Sequence, residues 1–314
     1  MTMAVIDKFL DGDRRSLAKI ITHVENRADN YREVLARLYP RTGKTYKIGF
    51  TGPPGAGKSS LVDLVANQLL EDGEMVSIIA VDPSSPFTGG ALLGDRIRMA
   101  RLSNHRNVYI RSMATRGSGG GLASATKDIC VVLDSFGFDK VLVETVGVGQ
   151  VELDIVDTAD TVVVVLVPES GDTIQAMKAG LMEIADVFCL NKSDREGADR
   201  LAAELEMMLD IRRHGSEWHY PVVQTSALKG WGVDKLQEQI AAHQTYLKES
   251  GKFEKRRRRQ VKREIYQHLQ DMLLDEARNR IGGDATVEKI VDEIAEGSSD
   301  PYTEAERIFR EHFT

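Results

Sequence analysis

The chain has 314 residues, 42% hydrophobic and 28% charged, with a formal net charge of −7 at pH 7. That suits one large domain with appended helices, or one domain plus a small second one, and is too polar for a membrane protein. The acidic balance makes nucleic acid a poor partner, the longest strongly apolar run (161–167) cannot span a bilayer, and the first thirteen residues, with Asp7, Lys8, Asp11 and Asp13, lack the apolar centre of a secretion signal, so a cytoplasmic location is expected.

In chain order, residues 1–39 read as helix, with Leu17, Ile20, Ile21 and Val24, then Val34, Leu35 and Leu38, at helical spacing before Pro40 and Gly43. From Tyr46 the pattern changes to short apolar runs at 46–51, 76–81, 108–112, 140–144, 161–167, 187–190 and 222–224. Amphipathic stretches at 59–70, 122–134, 173–184, 200–209 and 233–247 separate them. Continuous apolar strands alternating with helices predict an α/β fold, a mostly parallel central sheet covered on both faces. Residues 252–280 read as one long charged helix, broken at Gly282 and Gly283, with shorter helices around 287–294 and 303–312. The expected organisation is a helical extension (1–43), an α/β core (44–250) and a helical arm (251–314). Cys130 and Cys189 lack C-x-x-C spacing and read as buried small apolar side chains.

Residues 52–59 read Gly52, Pro53, Pro54, Gly55, Ala56, Gly57, Lys58, Ser59, the pattern G-x-x-x-x-G-K-S between a strand and a helix. Such glycines let backbone N–H groups turn inward around phosphate oxygens, and the helix N-terminus adds partial positive charge. Lys58 is expected at the β- and γ-phosphates, Ser59 on Mg²⁺, and Ser60 beside it in the nucleotide-binding set. Mg²⁺ also needs carboxylates. Asp82 and Glu144 stand at strand ends, where ligands of open α/β sheets collect. Asp95, after Gly89, Gly90 and Gly94, is a third candidate that reads equally as a helix N-cap. Gly147 and Gly149 follow Glu144 closely, so this segment reads as a nucleotide switch whose backbone approaches a γ-phosphate. The loop 84–94 is a second candidate of that kind, and the run Gly117–Gly121 reads as a flexible turn.

Asn191, Lys192, Ser193 and Asp194 follow the run 187–190. An N-K-x-D loop there selects guanine: the Asp accepts from N1–H and the exocyclic amine, a donor pair adenine lacks, while Asn and Lys brace loop and base. Thr225, Ser226, Ala227 and Leu228 fit the remaining loop that packs on the base. The expected reaction is therefore hydrolysis of GTP to GDP and phosphate by water. A small-molecule kinase and an ATPase linked to amino-acid transport are the alternatives. The basic run 255–259 reads as the solvated start of the long helix, with Glu254 and Glu264 sharing its charge, rather than as a nucleic-acid patch.

Together, the phosphate loop, Val-Asp-Pro-Ser-Ser-Pro around Asp82, Gly94-Asp95-Arg96, Glu-Thr-Val-Gly-Val-Gly-Gln from Glu144 and Asn-Lys-Ser-Asp resemble the MeaB/ArgK/MMAA GTPases, over nearly the whole chain. The resemblance implies a G-protein chaperone for an adenosylcobalamin-dependent acyl-CoA mutase, chiefly methylmalonyl-CoA mutase, gating cofactor loading and protecting the mutase from inactivation. It implies a homodimer through the C-terminal helices, with a cobalamin adenosyltransferase as a further expected partner. By motif position Lys58, Asp82, Asp95, Glu144 and Gly147 carry catalysis, and Ser59, Asp82, Asp95 and Glu144 the metal and its water shell. Asp172 and Lys178 match a loop that signals to the client, although Asp172 also reads as an N-cap.

Overall fold

The computed structural model describes residues 1–82, 102, 105–114, 121–145, 147, 154–168, 180–212 and 217–313. The chain divides into two compact units, Met1–Arg257 and Arg258–Thr314.

The first unit opens with three helices, α1 (Met3–Leu10), α2 (Arg14–Glu25) and α3 (Tyr31–Leu38), where the periodicity alone predicts one. Two local features break it. Gly12 takes a left-handed φ of 88°, after which the Asp13 carboxylate caps α2 by accepting from Ser16 N at 2.8 Å and Ser16 Oγ at 2.6 Å. Asn30, at φ 63°, makes the second break.

The strands are β1 (Tyr46–Thr51), β2 (Val76–Asp82), β3 (Val108–Ala114), β4 (Lys140–Glu144), β5 (Thr161–Leu166), β6 (Val187–Leu190) and β7 (Val222–Gln224). They form one parallel sheet in the order β3-β2-β4-β1-β5-β6-β7. The expected runs all appear. β2 extends one residue and β3 two residues further than their apolar runs, because ladder pairing continues to Asp82 and Ala114. Among the described residues the longer helices that follow are α4 (Lys58–Glu71), α5 (Gly121–Phe136), α6 (Ala198–Arg212), α7 (Val233–Glu249) and α8 (Lys252–Ile281). Strand residues alternate between two cores, as the period of two requires. Val162, Val164 and Leu166 of β5 join Ile129, Leu133, Leu205 and Leu209 from α5 and α6. Val163 and Val165 join Leu61, Val65, Leu236 and Ile240 from α4 and α7.

The N-terminal helices lie against α5, with the Phe9 and Phe136 rings 5.2 Å apart. They also reach β3: Arg14 donates to Val108 O, and Arg111 Nε donates to Glu25 Oε2 at 2.9 Å.

The opposite pole corrects the reading of the basic run. Arg256 forks onto Asp186 at 2.9 and 3.2 Å, and Arg257 onto Asp160 at 3.0 and 2.7 Å. Asp186 also accepts from Val162 N and Asp160 from Lys47 N, each at 2.8 Å. The start of α8 is thus fixed at the amino ends of β1, β5 and β6 by two bidentate pairs. Beside them the Tyr46 hydroxyl, Thr161 Oγ1 and His243 Nδ1 form a chain of 2.5 and 2.7 Å contacts.

Burial pushes the His243 imidazole down to about 4 from 6.5. Between those values the unfolded chain binds a proton that the native state refuses, so stability present above pH 6.5 is lost as pH falls toward 4. At pH ~4.5 this amounts to about 2–3 kcal/mol. Urea melts of native protein and His243→Gln at neutral pH and at ~4.5 check it: the variant is expected to lose that much less stability on acidification, and parallel losses would refute the assignment.

In the second unit, α9 (Asp284–Ala295) and α10 (Pro301–Phe313) follow the end of α8. Asp300 caps α10 by accepting from Tyr302 N at 2.9 Å and Thr303 N at 3.0 Å. Arg280 Nη1 donates to His312 O at 3.0 Å, tying the two helix ends. Ile265, Leu269 and Leu273, four residues apart on α8, are 55%, 48% and 67% exposed.

Candidate active site

β1 sits between β4 and β5, so the chain leaves the sheet in opposite directions on its two sides. At such a switch point the carboxyl ends of the strands open into a crevice. The loop 52–57 fills that position, and α4 starts at Lys58 with Gly57 in the left-handed region at φ 88°. A side chain on Gly57 would also stand 2.4 Å from Asn191 Nδ2.

Lys58 is 5% exposed and folds back into its own loop. Its Nζ donates to Gly52 O at 2.8 Å and Pro53 O at 3.0 Å. Ser59 Oγ donates to Glu144 Oε1 at 2.6 Å, so a strand-end carboxylate from β4 meets the first turn of α4. A hydroxyl and a carboxylate side by side at the mouth of a phosphate loop are hard oxygen donors, the set Mg²⁺ prefers. The buried Thr145 behind Glu144 donates through Oγ1 to Thr51 Oγ1 at 2.9 Å, joining β4's exit to β1's; no motif signals this contact. Gly147 closes the crevice at φ 88°: a Cβ there would fall 2.3 Å from Gly52 O and 2.6 Å from Lys58 Nζ. Gly147→Ala is therefore expected to weaken GTP binding by about tenfold or more, since even a few tenths of an ångström of loop displacement lengthens several phosphate contacts at once. Competitive titration against a fluescent GDP analogue measures it, and affinity within twofold of native would contradict it.

Asn191, 1% exposed, ties three segments together. Its Nδ2 donates to Ala56 O at 2.8 Å, and its Oδ1 accepts from Ala227 N at 3.0 Å and Thr225 Oγ1 at 3.2 Å. The loops after β1, β6 and β7 are thereby held as one body. Asp194 Oδ1 accepts from Ser226 Oγ at 2.7 Å, and Oδ2 lies 3.5 Å from Lys229 Nζ. The Ser226 hydroxyl, and then Lys229, hold the Asp194 carboxyl below the usual range, so it stays an ionised acceptor. Lys229 lies outside the sequence motif; only the turn, in which Lys229 N donates to Ser226 O at 3.1 Å, brings it there. Lys192 adopts a left-handed φ of 58°, while Leu228 is 89% exposed beside the loop.

The remaining expectations divide by position. Asp82 is the last residue of β2, two strands from β1. Ser60 follows Ser59 in the first turn of α4. Asp95, the loop 84–94, Gly149, Asp172, Lys178 and most of the Gly117–Gly121 run lie outside the described residues. Both cysteines are buried thiols, as their spacing suggests.

A family model described as methylmalonyl Co-A mutase-associated GTPase MeaB matches residues 17–281. A Pyrococcus abyssi protein provisionally named a GTPase is 48% identical over 312 residues, covering 98% of this chain and 95% of that one. The mitochondrial methylmalonic aciduria type A homolog of Mus musculus is 36% identical over 282 residues, 84% of this chain and 68% of the relative. A solved structure described as a LAO/AO transport system kinase superposes with a TM-score of 0.74 at 26% identity, covering 100% of this chain and 99% of that one.

Proposed function

We propose, from the premise that the chain belongs to the MeaB family of GTPases, that its hydrolysis of GTP times a handover to an adenosylcobalamin-dependent acyl-CoA mutase, gating cofactor loading and protecting that enzyme from inactivation. The family description and the relationship to the mouse homolog support methylmalonyl-CoA mutase as the client. The observation that carries a timing role is Gly147 against Gly52 and Lys58, because a segment that abuts the phosphate loop must respond when a γ-phosphate enters or leaves.

In this reading Lys58 exchanges its two carbonyl partners for β- and γ-phosphate oxygens, and water attacks the γ-phosphate with no covalent enzyme intermediate. Mg²⁺ supplies charge neutralisation on the phosphate oxygens; Ser59 and Glu144 would hold it, with Asp82 and Asp95 as further members of its shell. Asn191, Lys192 and Asp194 read guanine, with Ser226, Ala227 and Leu228 beside the base. Asp172 and Lys178 report the nucleotide state to the client. The exposed stripe Ile265, Leu269 and Leu273 supports a homodimer through the C-terminal helices, since such a stripe on a monomer would be left in water. A cobalamin adenosyltransferase is the expected donor partner. Among the described residues no helix is long and apolar enough to cross a membrane. We place the handover in the cytoplasm.

The test is isothermal titration of the full-length protein with the acyl-CoA mutase of the same genome, with GDP or a non-hydrolysable GTP analogue. A complex whose affinity differs at least about fivefold between nucleotides is expected. No complex in either state removes the chaperone role and leaves the GTPase intact. The similarity to a transport-system kinase favours a second reading, transfer of the γ-phosphate to a small-molecule acceptor. Labelled γ-phosphate recovered as free phosphate rejects it, and label on a small-molecule acceptor supports it.

A further inference from the structure

The two edges of the sheet are treated differently. The N-terminal helices reach β3 through Arg14 and Glu25, whereas β7 borders an open groove of about 1050 Å³. α6 contributes Glu206 to its wall, α7 contributes Asp234 and Glu238, and Trp231 stands at its mouth, 41% exposed.

Backbone parity shows what the strand offers there. Phe188 N donates to Pro221 O at 2.9 Å and Thr225 N to Leu190 O at 2.8 Å, so alternate residues 221, 223 and 225 face β6. In a parallel ladder the residues between them, Val222 and Gln224, turn their N–H and C=O groups the other way, toward the groove. Pro221 lacks an N–H on the β6 side and so costs the open edge no donor. A Cβ on Gly232 would lie 2.3 Å from Gln224 O, so the Gly230–Gly232 turn closes the edge there. Val222 N–H and C=O and Gln224 N–H remain without a backbone partner among the described residues.

We propose that this groove receives an extended, lysine- or arginine-rich segment of a partner protein, added as a strand to β7. The unpaired groups supply main-chain hydrogen bonds, as in other strand additions. Charge selects the occupant: three carboxylates line the walls against Lys235 and His219. Trp231 offers a face to an aliphatic stem or a cation. Three residues of strand give only about 10 Å of pairing, so much of the affinity must come from these side chains. The rim is also the back of the base-side turn, since Ser226 N donates to Trp231 O at 3.1 Å.

The test is fluorescence anisotropy with short blocked peptides that alternate Val with Lys, the same peptides with Glu for Lys, and the Lys peptides N-methylated along the pairing edge, against full-length protein with GDP. The Lys peptide is expected to bind at least about tenfold more tightly than the Glu peptide, and N-methylation to remove binding. Trp231→Ala and the pair Glu206→Gln with Glu238→Gln are each expected to weaken it about fivefold or more, while the pair keeps native GTP hydrolysis as the check on folding. Equal binding of Lys and Glu peptides, indifference to N-methylation, or no binding at ~1 mM would each overturn the proposal, leaving β7 a short edge blunted by charge against aggregation.

Discussion

Methionine or alanine at Lys58 is expected to lower GTP turnover by about 10²–10³-fold while the fold survives. The side chain is 5% exposed and its Nζ is already inside the loop, 2.8 Å from Gly52 O and 3.0 Å from Pro53 O. Those carbonyls hold the amine where phosphate oxygens would otherwise meet it, so little reorganisation is needed when nucleotide arrives. A cation preplaced in a water-poor loop is worth far more against developing phosphate charge than the same cation in solvent. Methionine keeps most of the stem and removes only the charge and its hydrogen bonds, which separates chemistry from packing. Single-turnover release of phosphate at saturating GTP, with a thermal melt alongside, measures the effect. Retention of more than about a tenth of the native rate by a stably folded variant would remove Lys58 from the catalytic machinery.

Asp194→Asn is expected to cost about a hundredfold or more in guanine nucleotide affinity and to improve binding of xanthine nucleotides. Guanine presents two donors on the edge this residue would meet, and an ionised carboxylate is an acceptor at both oxygens. Hydrogen bonds to a charged group contribute about 1.5–3 kcal/mol each, and the Asn amide would set a donor against a donor. Xanthine carries an acceptor in place of the exocyclic amine, which suits the amide. The variant's own carbonyl can still accept from Ser226 Oγ, which stands 2.7 Å from Asp194 Oδ1, so loop collapse is not the expected cause. Displacement of a fluorescent GDP analogue by GDP, XDP and ADP reads all three preferences. Guanine affinity unchanged in the variant would leave the Asn191–Asp194 loop without a base-reading role.

Much of this architecture is written locally. Each strand is a short apolar run with helical spacing on either side, so the β/α alternation and the strand positions follow from patterns a few residues long. The phosphate loop is equally local: glycines, Lys58 and Ser59 act through their own backbone and the helix they begin. Helix breaks at the N-terminus are less legible, because the helical reading of residues 1–39 runs across a capped start at Asp13 and a left-handed turn at Asn30. Capping chemistry there prevails over amphipathic spacing.

What the chain's sequence by itself determined is thus the fold class, the phosphate loop and the Asn-Lys-Ser-Asp string proposed to read the base. Only tertiary structure decided which distant groups meet. Asn191 reaches Ala56 across 135 residues, and Arg257 reaches Asp160 across 97. Nothing in Lys-Arg-Arg-Arg-Arg distinguishes the two arginines that turn inward from those that face water. That choice depends on where the first turns of α8 meet the amino ends of β5 and β6, where buried carboxylates demand a paired cation. The free edge of β7 has the same origin, because a strand's sequence carries its propensity to pair but not its place in the sheet.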